Sequence, residues 1–153
     1  MKVKFEYNLT GAGWVDSTIS NDERQVRMRV SYLSDALGDL TEAMVDLLNG
    51  SEEKEVFFMD EPGEHRWLLR RTERDNLLIE VEWFEDWKSW EMMDKDAKGE
   101  KVFSDEVSLL EVAHEVKAVL DKLLEKYGVE GYKQKWIEHE FPLEQYERLK
   151  EHL

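Results

Sequence analysis

The chain predicts an α+β fold: one antiparallel β-sheet of about five or six strands, two main helices on one of its faces, and a short C-terminal helix. Three observations carry that expectation. Apolar residues alternate at period two through the N-terminal third and again between Val56 and Phe84, as half-buried strands require. The spacing changes to three and four over residues 34–49 and 108–127, the stripe of an amphipathic helix. Short turn-forming segments, Pro62-Gly63 and Arg74-Asp75-Asn76, divide the middle of the chain into hairpin-sized pieces.

Over residues 2–9, Val3, Phe5, Tyr7 and Leu9 take one face, while Lys2, Lys4, Glu6 and Asn8 take the other. Gly11-Ala12-Gly13 breaks the pattern, Trp14 to Ser20 resumes it, and Val26, Met28, Val30 and Tyr32 form a third alternating run. Ser34 is placed as an N-cap and Gly50 as a terminator, with Ala36, Leu37, Leu40, Ala43, Met44, Leu47 and Leu48 as the buried stripe between them. Gly38 inside this helix costs about 1 kcal/mol relative to Ala.

In the middle third, a two-residue turn at Pro62-Gly63 sets Phe58 opposite Trp67 and Val56 opposite Leu69. A three-residue loop at Arg74-Asp75-Asn76 sets Leu69 opposite Val81, Trp67 opposite Trp83, and Arg70 opposite Glu80. One face then carries Val56, Phe58, Trp67, Leu69, Ile79, Val81 and Trp83. Phe57, Met59, Leu68, Leu78 and Phe84 fall on the other, which calls for cover by the Trp-rich loop, a C-terminal helix or a second copy of the chain in a homodimer. Residues 85–99 have no period, and residues 100–107 are a further strand. A capping box of Ser108 and Glu111, with a Val107–Val112 staple, opens a long helix that Gly128 ends. Pro142 opens the last helix, which runs through Leu143, Tyr146 and Leu149.

The length of 153 residues fits a single domain spanning residues 1–153, with no composition break. Residues 1–84 carry 10 basic and 18 acidic side chains, and the remainder 11 and 18. The net charge of −15 argues against nucleic acid and anionic membrane, whose affinity comes from Lys and Arg. There is no cysteine, no stretch of 18 apolar residues and no apolar leader, so the expected location is cytoplasmic.

Motifs for chemistry are weak. Asp94-Lys95-Asp96-Ala97-Lys98-Gly99 opens like a calcium loop, but Lys98 stands where an oxygen ligand belongs and Asp105 where a bidentate glutamate does. Glu111 and His114 have di-metal spacing, yet no second such pair exists. Gly11-Ala12-Gly13 lacks the rest of a dinucleotide fingerprint, and no nucleophile motif occurs. No catalytic residue, metal or cofactor is therefore expected. The tryptophans are the informative feature: Trp83, Trp87 and Trp90 fall within eight residues, interleaved with Glu85 and Asp86. Aromatic rings ringed by acids suit a basic protein partner, with the field steering approach and the rings supplying affinity.

The run Ser31-Tyr32-Leu33-Ser34-Asp35-Ala36-Leu37-Gly38-Asp39-Leu40, with Asp60-Glu61-Pro62-Gly63-Glu64-His65-Arg66-Trp67 and Val81-Glu82-Trp83-Phe84, is similar to a group of small acidic bacterial proteins of unassigned activity. In size and charge alone, the chain also resembles the immunity proteins of bacterial toxin systems, a likeness that implies neutralisation of a basic partner and transfers no functional residue. The expected function is thus a non-catalytic acidic binding protein. A small-ligand carrier or sensor, and an enzyme using paired carboxylates, are the alternatives. An apolar cavity would favour the carrier, and a wet cleft with two acids of displaced pKa the enzyme.

Overall fold

The structure, a computed structural model, describes residues 3–153; Lys2, assigned above to the first strand, lies outside the described residues. Strands β1 (Lys4–Gly11), β2 (Trp14–Ser20) and β3 (Gln25–Ser31) form a three-stranded antiparallel sheet in sequence order. Helix α1 (Ala36–Leu48) leads into β4 (Glu53–Met59), β5 (Glu64–Arg71), β6 (Asn76–Phe84) and β7 (Glu100–Ser108), a four-stranded antiparallel sheet. Helices α2 (Leu109–Trp136) and α3 (Leu143–Glu151) close the chain. The fold is α+β with antiparallel sheets, but there are two sheets of three and four strands where one of five or six was expected. Alternation tells which side of a strand is buried and says nothing about which strands pair. Here α1 intervenes between β3 and β4, which touch without forming a ladder. The inner faces of both sheets contribute to one core.

Both middle hairpins differ from expectation by two residues. Val56 pairs with Trp67 and Phe58 with His65, because the first loop is Asp60-Glu61-Pro62-Gly63, closed by the Asp60 N–H on the Gly63 carbonyl at 2.8 Å. Leu69 pairs with Ile79 and Trp67 with Val81, because residues 72–75 form the second loop. A two-residue shift preserves parity, so the expected face survives intact. Val56, Phe58, Trp67, Leu69, Ile79 and Val81 are all buried, together with Leu37, Leu40, Leu47, Val112, Val116 and Leu120. The charge pairs do move. Arg70 bonds Glu53, Arg66 bonds both Glu55 and Glu82, and Glu80 pairs with Lys101.

Helix α1 is capped by Asp35, which accepts from the Gly38 N–H at 3.3 Å; Ser34, the expected cap, instead donates to the Phe57 carbonyl at 3.2 Å. A Cβ on Gly38 would lie 2.2 Å from Asp35 Oδ2, so the cap itself excludes a larger residue there. In α2, Ser108 accepts from the Glu111 N–H at 3.3 Å, but the Glu111 carboxylate does not return to the cap. It accepts the Val3 N–H at 3.2 Å, and Glu115, one turn on, accepts the Phe5 N–H at 3.2 Å. Two helix side chains thus stand in for a neighbouring strand along the outer edge of β1. Gly128 (φ 68°, ψ 178°) interrupts α2, as expected, but the helix resumes and buries Tyr132 and Trp136. α3 packs on α1 and α2 through Tyr146 and Leu149.

Cover for the second face of the four-stranded sheet comes from residues 85–99. Met59 and Phe84 are buried, with Lys88 over the Phe84 ring at 5.2 Å and Gly99 against its edge. Phe57, Leu68 and Leu78, farther along, are only half-buried.

Leu69 is fully buried between β4 and β6. Leu69→Ala should therefore lower stability by about 2–5 kcal/mol in chemical denaturation, the range for a large-to-small change in a packed core. A loss within about 1 kcal/mol would place Leu69 outside the core.

Candidate functional site

The segment between β6 and β7 is long and lacks strand or α-helix, so its position depends on side-chain anchors. Two come from the β4–β5 hairpin. The Trp87 indole N–H donates to the Asp60 carbonyl at 2.7 Å. Glu64, fully buried, accepts the Ser89 hydroxyl at 2.6 Å and the Ser89 N–H at 3.2 Å. Burial raises the Glu64 carboxyl above its ordinary range, and the two Ser89 bonds oppose that shift. Local bonds tighten the rest: Asp86 Oδ1 accepts the Trp87 N–H at 2.8 Å, Lys88 Nζ donates to the Ala97 carbonyl, and Lys88–Trp90 form a single 3-10 turn.

These anchors set the fate of each tryptophan. Trp87 is half-buried and held by its indole N–H. Trp90 is 50% exposed, with its ring centroid 5.3 Å from that of Trp87. Met92, two residues on, is 56% exposed. Among the described residues these are the two most exposed large apolar side chains. Glu85, Glu91, Asp94 and Asp96 are exposed on the same segment, while Asp86 is half-buried by its role in the turn. Asp86, Trp87 and Trp90 are thus linked by direct contacts, with Glu85 exposed at the start of the same segment.

Trp83 is not part of this group. It lies on β6, paired in register with His65 of β5, and the two rings are 4.8 Å apart. Its other neighbour is Gly63, where a Cβ would come within 2.2 Å of the indole. His65 is 8% exposed and its Nδ1 has no hydrogen-bond partner. Burial lowers its pKa to about 4, against a smaller opposite effect of Asp60, so the imidazole is neutral at pH 7.

A second polar group lies deep in the fold. The Tyr7 and Tyr132 hydroxyls and the Trp136 indole N–H are buried without hydrogen-bond partners. Burial raises both tyrosine pKa values, and the Asp35 charge adds to each. Asp39, in the first turn of α1, is pushed up to about 6 by desolvation and then by Asp35.

The anchors Asp60, Glu64 and Ser89 had no signature in the sequence. The one available signal was Glu64 and His65 standing next to an apolar strand run, where a buried acid needs a partner from elsewhere. Compared with known protein families, curated proteins and solved structures, the chain matches none. No helix among the described residues is long and apolar enough to cross a membrane. In chemical terms, residues 85–96 expose Trp90 and Met92 on a segment that carries five acidic and two basic side chains.

Ser89→Ala would leave the buried Glu64 carboxylate short of its hydroxyl donor. The expected loss is about 1–3 kcal/mol, with faster amide exchange in residues 85–99; unchanged exchange there would mean the anchor is dispensable. His65 adds a pH dependence of definite sign. Because its folded pKa is near 4 and its unfolded value 6.5, the unfolded chain binds the extra proton, and stability falls as pH drops from 6.5 towards 4. A thermal-melt series should show this decline reduced in His65→Phe, and an identical profile for the two proteins would refute the assignment.

Proposed function

We propose that this chain is a non-catalytic binding protein that captures a basic protein partner through the segment carrying Trp87, Trp90 and Met92. The observation that carries the reading is the exposure of both Trp90 and Met92, two residues apart on an anchored, acid-rich segment of a chain with net charge −15. Large apolar side chains held out in water have no folding benefit, whereas exposed tryptophan with polar surroundings is the usual composition of a binding hot spot. The anchors through Glu64 and Asp60 hold the segment in place before binding, which reduces the ordering cost of association. The acid excess attracts a cationic surface over a Debye length of about 8–10 Å at ordinary ionic strength. An immunity-like role, neutralising a basic toxin by covering its cationic surface, is the biological form this chemistry suits best.

Within this reading, one residue should matter most. The Trp87 indole N–H is bonded to the Asp60 carbonyl, so the residue proposed as the anchor offered to a partner is Trp90, with the exposed Met92 two residues on. The test is capture from lysate of the source cell at low salt, identification of a basic protein, and kinetics with the purified pair. Trp90→Ala should weaken affinity by about 2 kcal/mol or more through faster dissociation, with an unchanged melting temperature. Glu85→Lys should mainly slow association, and about 0.5 M salt should do the same. Salt-insensitive binding, or an affinity indifferent to Trp90→Ala, would overturn the proposal.

A further inference from the structure

On the opposite side of the Asp60–Gly63 loop from the acidic segment, the local charge changes sign. Arg24, Arg27 and Arg29 fall within six residues, in a chain where acids outnumber bases 36 to 21. All three line one shallow, open depression of about 650 Å³, together with Asp16, Asp60, His65, Trp83 and Val102. That volume suits a small organic ligand.

The depression is built by both sheets. Along the inner face of the four-stranded sheet, successive β5–β6 rungs are Leu69 with Ile79, Trp67 with Val81, and His65 with Trp83. The first two rungs are sealed in the core. At the third, the apolar pair is replaced by an imidazole and an indole, and the face opens into the depression. The opposing wall is β3, whose exposed positions carry Arg27 and Arg29, with Arg24 in the turn just before the strand.

The guanidinium groups are held in place and keep donors to spare. Arg27 pairs with Asp16 at 3.0 Å, and Arg29 with Asp60 at 2.9 Å. Arg29 also lies over the Trp14 ring at 4.8 Å, and Arg24 donates to the Val102 carbonyl at 2.9 Å. Each of these hydrogen bonds uses one nitrogen, whereas a guanidinium has five N–H donors. Three cations against two carboxylates leave the depression positive within an acidic molecule. The uncharged imidazole beside Trp83 adds a flat surface without adding a charge.

We infer that this depression binds a small planar aromatic anion, its ring against Trp83 and His65 and its phosphate or carboxylate on the guanidinium groups of Arg24, Arg27 and Arg29. Flat aromatic and imidazole surfaces accept a planar ring, and arginine forks match the geometry of both oxyanions. The inference uses Trp83 and the arginines, not Trp90, so it stands or falls separately from the partner-binding reading.

The experiment is a titration of the full chain followed by the indole N–H resonance of Trp83, assigned by its loss in Trp83→Phe. The probes are AMP and phenyl phosphate for phosphates, indole-3-carboxylate for carboxylates, and adenosine and inorganic phosphate as controls lacking one half of the ligand. At least one of the aromatic anions should shift the resonance saturably, with a Kd below about 1 mM. Whether AMP or indole-3-carboxylate binds more tightly identifies the oxyanion. Adenosine and inorganic phosphate should each bind about tenfold more weakly or worse. Arg27 is 75% exposed, so Arg27→Ala should fold normally, and combined with Arg24→Ala it should weaken the aromatic anion about tenfold. No shift from any aromatic anion at about 5 mM would overturn the inference. So would equal binding of adenosine, or affinity unchanged in the double variant.

Discussion

The structure depends on an aromatic seam between its two sheets. Phe58 of β4 and Trp67 of β5 stack with ring centroids 4.7 Å apart. Phe5 of β1 meets the Trp67 ring edge-on at 5.6 Å, and Tyr7 meets Phe58 edge-on at 6.3 Å. Tyr7 also approaches Trp136 at 6.5 Å, which brings in the part of α2 beyond Gly128. No backbone ladder joins the sheets, so they are related by side chains: these rings in the core, and at the periphery bonds such as Arg29 to Asp60 and Arg24 to the Val102 carbonyl. Such rings bury about 150–250 Å² each, and their tilted pairings add roughly 0.5–1.5 kcal/mol per pair beyond the area term. The C-terminal elements add buried rings to this core: Trp136 reaches Tyr7, and Tyr132, Phe141 and Tyr146 form a further run of edge-on contacts.

With the sheets joined by side chains alone, their edges are exposed to unwanted pairing, and the acidic composition helps to manage this. Glu111 and Glu115 occupy the amides of Val3 and Phe5 at the edge of β1, where another strand would otherwise add. Across the outer side of the four-stranded sheet, Glu53, Glu55, Glu80 and Glu82 are matched by Arg70, Arg66 and Lys101. Exposed pairs of this kind contribute between about 0 and 1 kcal/mol each, so they set register and solubility more than stability. Acids without a cationic partner also lie in segment 85–96, where Asp86 holds the Trp87 N–H while Glu85, Glu91, Asp94 and Asp96 are exposed.

The legible part of this fold was everything that parity and period encode. Which side of each strand is buried, where α1 and α2 begin, and which leucines and valines form the core all follow from local spacing. The two hairpin registers were off by two residues because loop length depends on backbone geometry that turn-forming residues do not specify. The division into two sheets was illegible for a related reason: a strand's alternation is the same whether its neighbour is β3 or β5. Side-chain diversions were the other blind spot. Glu111 has the sequence of a capping box, but the amide of Val3, more than a hundred residues away, takes its carboxylate. The tryptophan cluster was legible as a group of residues, but the structure divides it, because Trp83 is on a strand and obeys its parity. Trp87 and Trp90 lie beyond the strand and answer to Asp60 and Ser89.

The β4–β5 connection is where the acidic segment and the arginine-lined depression meet. Asp60 uses its carbonyl for the Trp87 indole and its carboxylate for Arg29, while Gly63 sits under Trp83. One short loop therefore sets the position of an acid-rich segment with exposed Trp90 and of a concave surface with positive lining. The side chain of Asp60 is mostly buried, at 15% exposure, so its charge is compensated chiefly by Arg29 and cannot be withdrawn from that pair without leaving a poorly solvated carboxylate. A ligand that drew Arg29 away would have to supply its own interaction with the loop or shift Asp60, and a shift of Asp60 moves the acceptor that holds Trp87. The two surfaces are separate in chemistry, but their geometry passes through the same residue.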